Sequence, residues 1–278
     1  MTMLGPMDEY YPDMDVADKF TVSHIQKGFK ISARKLPISK SNSIDEMSEK
    51  LHIPIPEMIF GDNYVSIEHL NSGWRINFNA FDALDQVEKT DKNMLKVAYS
   101  HEWSKSRQKA HHGIQEVVKP FDWSYTTSYK GTITNGKQFI QSDRANVTIP
   151  IELLKRPDPI LFFGDIVLYE SELDDNGISV LTCKFRVMPD RMLLLCRFFL
   201  RLDNVIIRIR ETRIYVEFET GVIIRDYSEK EDSFENTKNR LIRSGTPHSD
   251  VMFTMCDANI LSNLLPEVQH TVENLTLP

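Results

Sequence analysis

The stretch RMLLLCRFFLRLDNVIIRIRETR, Arg191 to Arg213, constrains the fold more than any other part of the chain. Two apolar arms flank Asp203-Asn204, with Arg197, Arg201, Arg208 and Arg210 set among large apolar residues. Taking Asp203-Asn204 as a two-residue turn puts Leu202 opposite Val205 and pairs Leu200 with Ile207 and Phe198 with Ile209 on one side. The other side then gathers Arg201 with Ile206, Phe199 with Arg208, and Arg197 with Arg210. This register predicts a hairpin with one apolar face and one basic face that carries an aromatic ring.

The flanking sequence supplies more hairpins. Phe29, Ile31 and Ala33 alternate with polar residues over Phe29 to Arg34, as a strand requires. Val65, Ile67 and His69 alternate, Asn71-Ser72-Gly73 turns, and Trp74, Ile76 and Phe78 return. Trp123, Tyr125, Thr127 and Tyr129 are expected on one face of a strand, with Asn135-Gly136 suited to a type I′ turn. Asn176-Gly177 divides Ile166–Leu173 from Ile178–Met188 as a longer hairpin stopped by Pro189. Thr212 to Phe218 turns at Thr220-Gly221 and returns as Val222 to Arg225, before a polar surface loop with a helical piece over Ser228 to Gly245.

Helices punctuate these strands. Ser43 and Glu46 have capping-box spacing for a helix ending near Leu51, which Pro54 and Pro56 cannot continue. Asn79 can cap a helix from Ala80, with Asp82 in its first turn, and Asp257 one from Ala258 to Leu265. A further helix is expected over Ser100 to Gln108. The expected fold is α+β, mainly antiparallel β-sheet in two packed layers of hairpins surrounded by helices. It forms a single domain over 19–278, behind a mobile acidic leader over 1–18.

A net charge of −7 argues against a dedicated nucleic-acid binder. No run reaches the ~18 apolar residues of a spanning helix, and the amino terminus lacks a secretory pattern. Cys183, Cys196 and Cys256 are too few and scattered for a disulfide framework or zinc site. A cytoplasmic or nucleocytoplasmic protein follows as the expectation, without membrane or nucleic-acid partner, and monomeric when free.

Catalytic signatures are missing. The chain contains no dinucleotide-binding or phosphate-binding glycine loop, no nucleophile elbow and no C-x-x-C. His101-Glu102 begins like a zinc-protease helix, but Lys105 occupies the second histidine's place, and the adjacent His111-His112 make a poor chelate. Neither a cofactor nor a metal is expected. Glu170, Glu172, Asp174 and Asp175 could serve a metal-free hydrolase, although four acids leading into an Asn-Gly turn also read as a solvated strand end.

Four arginines on one face repel one another unless carboxylates sit over them. Two sources are open, the chain's own 40 acidic residues or an acidic ligand. Guanidinium geometry suits a carboxylate, and Phe199 between the arginines suits an aromatic side chain.

Five segments together resemble the TIPRL (Tip-forty-one-like) family: PEMIFGDN from Pro56, FNAFDAL from Phe78, KPFDWSYTTSYKGT from Lys119, KFRVMP from Lys184, and LLLCRFFLRLDNVIIRIRETR to Arg213. Ser128 and Glu211 stand where that family has aspartate. The resemblance implies a non-enzymatic regulator in TOR-linked signalling that binds the catalytic subunits of phosphatases 2A, 4 and 6 and inhibits or chaperones them. It also implies recognition of their acidic, aromatic C-terminal tail, which ends in a free carboxylate. A scaffold without effect on activity is the alternative. The candidate partner-binding residues are Asp82, Lys130, Arg197, Phe199, Arg201, Arg208, Ile209, Arg210, Glu211 and Arg213.

Overall fold

The computed structural model describes residues 19–89, 121–141 and 148–278. Among them, two antiparallel sheets stack face to face. The smaller has the order β1 (Thr21–Gln26), β2 (Phe29–Arg34), β4 (Tyr64–His69), β5 (Trp74–Asn79) and β6 (Thr132–Asn135). The larger runs β3 (Met58–Ile59), β8 (Phe162–Ser171), β9 (Gly177–Val187), β10 (Arg191–Leu202), β11 (Ile206–Glu217), β12 (Val222–Ser233), β13 (Glu267–Thr276) and β7 (Ile140–Gln141). The expected α+β architecture with two layers of hairpins is therefore what forms.

Period-two alternation explains the core. Ile31 faces Ile67, which faces Ile76, and Val65 faces Phe78, so the small sheet sends one apolar set inward. Leu181, Phe185, Leu194, Phe198 and Leu200 answer from the large sheet, and the two sets form one buried cluster. Helix α1 (Ser41–Leu51) adds Met47 and Leu51, and α2 (Ala80–Asp85) adds Ala83 and Leu84.

Among the described residues, the outer face of the large sheet is covered at its two ends. At one end α4 (Phe234–Arg243), α5 (Val251–Thr254) and α6 (Ala258–Leu264) bury Phe199, Ile207 and Ile209. At the other, Ile149 and α3 (Ile151–Leu154) lie on Leu193, Tyr215 and Ile224.

Several expectations need correcting. The β10–β11 loop has three residues rather than two, because Val205 N–H donates to Leu202 O and Asn204 takes a positive φ of 61°. Pairing resumes at Ile206 opposite Leu202, so Leu200 faces Arg208, Phe198 faces Arg210 and Arg197 faces Glu211. A slip of one residue turns each β11 side chain to the other face.

Residues Trp123 to Tyr129 form no ladder, and Tyr125 has φ 54°. The segment instead runs between the sheets, its carbonyls accepting from side chains. Tyr169 Oη donates to Tyr125 O, Ser179 Oγ to Ser124 O and Thr212 Oγ1 to Tyr129 O. Asn135-Gly136 closes no hairpin, since β6 and β7 belong to different sheets.

The β8–β9 loop spans Glu172–Asn176 with positive φ at Leu173, Asp174 and Asp175. No side chain caps α1, whose N-cap is Lys40. Strand β12 continues to Ser233 where a loop was expected, and β13 was not foreseen. Asn79 and Asp257 cap as expected. The acidic leader over 1–18, the helix over Ser100–Gln108, and the histidines at 101, 111 and 112 lie outside the described residues.

Candidate functional site

The register divides the candidate residues between two faces, which corrects the single basic face expected above. Arg208 and Arg210 point inward, toward the segment that crosses between the sheets. Arg208 Nε lies 2.6 Å from Glu231 Oε2, and its Nη1 donates to Thr126 Oγ1 at 3.0 Å. Arg210 Nη1 donates to Ser128 Oγ at 2.8 Å, with Glu229 3.5 Å from its Nη2. With a hydroxyl at Ser128, Glu229 is the carboxylate of Arg210.

Lys130 and Asp82 stand nearby on the same side. The Lys130 ammonium sits 4.2 Å from the centroid of Tyr227. Burial, followed by the hydrogen bond to Glu229, raises the Tyr227 phenol well above its ordinary range. Asp82 Oδ2 accepts from Asn79 Nδ2 at 2.8 Å and from Thr132 Oγ1 at 2.5 Å. These bonds tie the first turn of α2 to β6.

The outer face holds Arg197, Phe199, Arg201, Ile209, Glu211 and Arg213. Phe199 and Ile209 are buried beneath α4–α6 and have no surface to offer a partner. Arg201 Nε lies 2.8 Å from Asp203, and its Nη1 donates to Cys256 Sγ at 2.6 Å.

Two arginines share Glu211, as Arg156 and Arg191 share Asp158, but Glu211 is the more deeply buried of the two acids. Its carboxylate is 1% exposed and accepts from Arg197 Nε at 2.7 Å, from Ser262 Oγ at 3.2 Å and from Arg213 Nη2. Arg197 also donates to Asn259 on α6, while Arg213 is 37% exposed.

Most cations of this sheet sit beside acids of the same fold. Arg201, Arg208 and Arg210 each have an acid of their own in Asp203, Glu231 and Glu229. Lys184 pairs with Asp165 at 2.9 Å, and His270 Nε2 lies 3.1 Å from Asp226. Glu211 holds two guanidiniums, one of which, Arg213, also faces Asp226 across the β11–β12 pair. Arg213 lies in the strip between the two covered ends, where Leu195 separates it from Lys184.

The acidic alternative gains little. A cavity of about 360 Å³ is lined by Glu57, Met58, Glu172, Asp174 and Asp175, with no histidine or nucleophile among the described residues of its wall. Among the described residues no group of three His, Cys, Asp or Glu could hold a metal ion.

Sequence reasoning offered the chain's own acids and named Glu211, but not Asp203, Glu229 or Glu231, and it missed Thr126 and Ser128, whose contacts depend on the crossing segment. It also left Lys184 and Arg186 unused, although their alternation with Phe185 and Val187 places both outward.

A family model described as TIP41-like matches residues 58–238. The chain is 41% identical to the type 2A phosphatase activator TIP41 of Saccharomyces cerevisiae over 260 residues, covering 87% of this chain and 71% of the relative. It is 40% identical to the TIP41-like protein of Homo sapiens over 251 residues, covering 90% and 88%. With the TIP41-like protein of Dictyostelium discoideum it shares 37% identity over 257 residues, 89% and 90% of the two chains.

Proposed function

Because this chain belongs to the TIP41-like family, we propose that it is a non-enzymatic regulator that binds catalytic subunits of type-2A protein phosphatases and modulates their activity in TOR-linked signalling. The name of the yeast relative, a type 2A phosphatase activator, supports the choice of partner. Part of the binding is recognition of the catalytic subunit's C-terminal tail as an acidic, aromatic peptide.

The observation that carries this reading is the buried Glu211 carboxylate shared by Arg197 and Arg213. Most arginines here are neutralised within the fold and gain little from a ligand. Arg213 is half-exposed on an acid already bonded to Arg197, opposite Asp226, and keeps donors that can meet a further carboxylate. Asp82 and Lys130, on the other side of the large sheet, are the proposed contacts with the body of the phosphatase.

A synthetic tail peptide titrated by calorimetry at moderate salt tests this. A charge-assisted contact contributes roughly 1.5–3 kcal/mol, so Arg213→Ala should weaken binding about tenfold to a hundredfold. Arg208→Ala, on the inner face, should leave it unchanged. Equal affinity of the Arg213→Ala variant and the parent protein would remove the strip from the site.

A further inference from the structure

The KFRVMP segment divides its side chains cleanly. Phe185 and Val187 enter the core, while Lys184 and Arg186 point outward from β9. Arg186 lies between Phe163 on β8 and Leu193 on β10.

Two properties set this corner apart. Arg186 forms no hydrogen bond or ion pair among the described residues. The other outward arginines of β10 and β11 all hold carboxylates: Arg191 with Asp158 and Asp190, Arg201 with Asp203, and Arg197 and Arg213 with Glu211. Beside it Phe163 is 74% exposed, although it is an aromatic residue within a strand. Ile160 and Leu161, just before β8, are also exposed. A partly buried guanidinium without an acid, next to an exposed ring, is complementary to a carboxylate carried close to a large apolar side chain.

The corner is continuous with the strip. Lys184 and Arg213 are separated by two inter-strand spacings, ~9.6 Å, and Arg186 lies two residues further along β9, ~6.7 Å. The diagonal from Arg213 to Arg186 is therefore ~12 Å, the reach of about four extended residues.

We propose that the strip continues onto this corner, and that Arg186 and Phe163 anchor an extended acidic peptide by a carboxylate on the guanidinium and an apolar side chain on the ring. The proposal rests on the strip being a dock for an acidic chain, and it adds the second anchor and the spacing between the two. A ligand spanning both anchors needs carboxylates about four residues apart, with a large apolar residue beside the one that meets Arg186.

Fluorescence anisotropy with a labelled six-residue peptide, alternating Asp and Phe, tests this against the full chain. Arg186 makes no hydrogen bond or ion pair among the described residues, so Arg186→Ala should melt close to the parent protein. Its affinity should fall about tenfold or more. Phe163→Ser should weaken binding as well, and Arg186→Lys should recover only part of the loss, because an ammonium cannot form the paired bonds of a guanidinium. Arg243→Ala, removing an arginine at the end of α4, serves as the control and should change nothing. Loss of affinity in both Arg186→Ala and Arg213→Ala supports the proposal. Loss in Arg213→Ala alone leaves the strip intact and overturns the second anchor. Loss in Arg186→Ala alone overturns the continuous dock, and no binding by the parent protein overturns both the strip and its extension.

Discussion

Replacing Glu211 with glutamine should move stability and ligand affinity in opposite directions. The substitution conserves shape and removes one buried negative charge. In the native protein that charge is 1% exposed and receives bonds from Arg197, Arg213 and Ser262. An amide would turn its own N–H donors toward guanidinium donors and leave Arg197, only 13% exposed, without a counter-charge.

Breaking a buried pair costs about 3–5 kcal/mol, and the partial access of Arg213 to water lowers the expectation to about 2–4 kcal/mol. For a chain of this size each kcal/mol shifts the melting temperature by about 2–4 °C, so a drop of about 4–16 °C follows. Meanwhile the half-exposed Arg213 guanidinium becomes free to meet a carboxylate, and an acidic peptide should bind about tenfold more tightly. Urea unfolding followed by fluorescence, together with peptide calorimetry, measures the two effects separately. Stability within about 1 kcal/mol of the parent protein, with unchanged peptide affinity, would refute the shared-carboxylate account.

Further outcomes follow from other contacts. Gly131 has φ +83°, and a Cβ there would meet Phe78 Cζ at 2.6 Å. Gly131→Ala should therefore lose about 2–5 kcal/mol by denaturant unfolding, and unchanged stability would show that the Thr126–Thr132 segment shifts freely. Asp82→Leu strands the Asn79 amide and the Thr132 hydroxyl, costing about 1–3 kcal/mol. If Asp82 also contacts the phosphatase, binding should fall by more than this loss explains, and matched losses leave only the structural role. Lys130→Glu removes the cation over Tyr227, for about 0.5–1 kcal/mol of stability, and should weaken phosphatase binding about tenfold. Unchanged binding in a pull-down series would remove this side from the interface.

The fold was legible wherever one face of a strand is apolar and its turn is short. Strand β2, the β4–β5 hairpin and the Asn79 cap follow directly from alternation and capping chemistry. Register was harder to read, because Asp203-Asn204 resembles a two-residue turn and only the positive φ of Asn204, with Val205 in the loop, shows a third residue. That single residue separated Arg208 and Arg210 from Arg197 and Arg201.

Trp123 to Tyr129 shows the opposite difficulty. Its aromatic alternation suits a strand, yet hydrogen bonds from Tyr169, Ser179 and Thr212 hold it between the layers. Strand β13 is mostly polar and exposed, and such a pattern carries little periodic signal. The open strip was illegible for another reason. Its limits are set by α3 and by α4–α6, whose packing onto the outer face is tertiary information.

The central claim is tested most directly by titrating the purified chain against a type-2A phosphatase catalytic subunit, intact and with its C-terminal tail removed. Binding and dephosphorylation should be followed together. The account predicts saturable binding to the intact subunit with a changed dephosphorylation rate, and affinity reduced about tenfold or more when the tail is absent. Binding without a rate change would make the chain a scaffold, and absence of binding to the intact subunit at micromolar concentration would contradict the account.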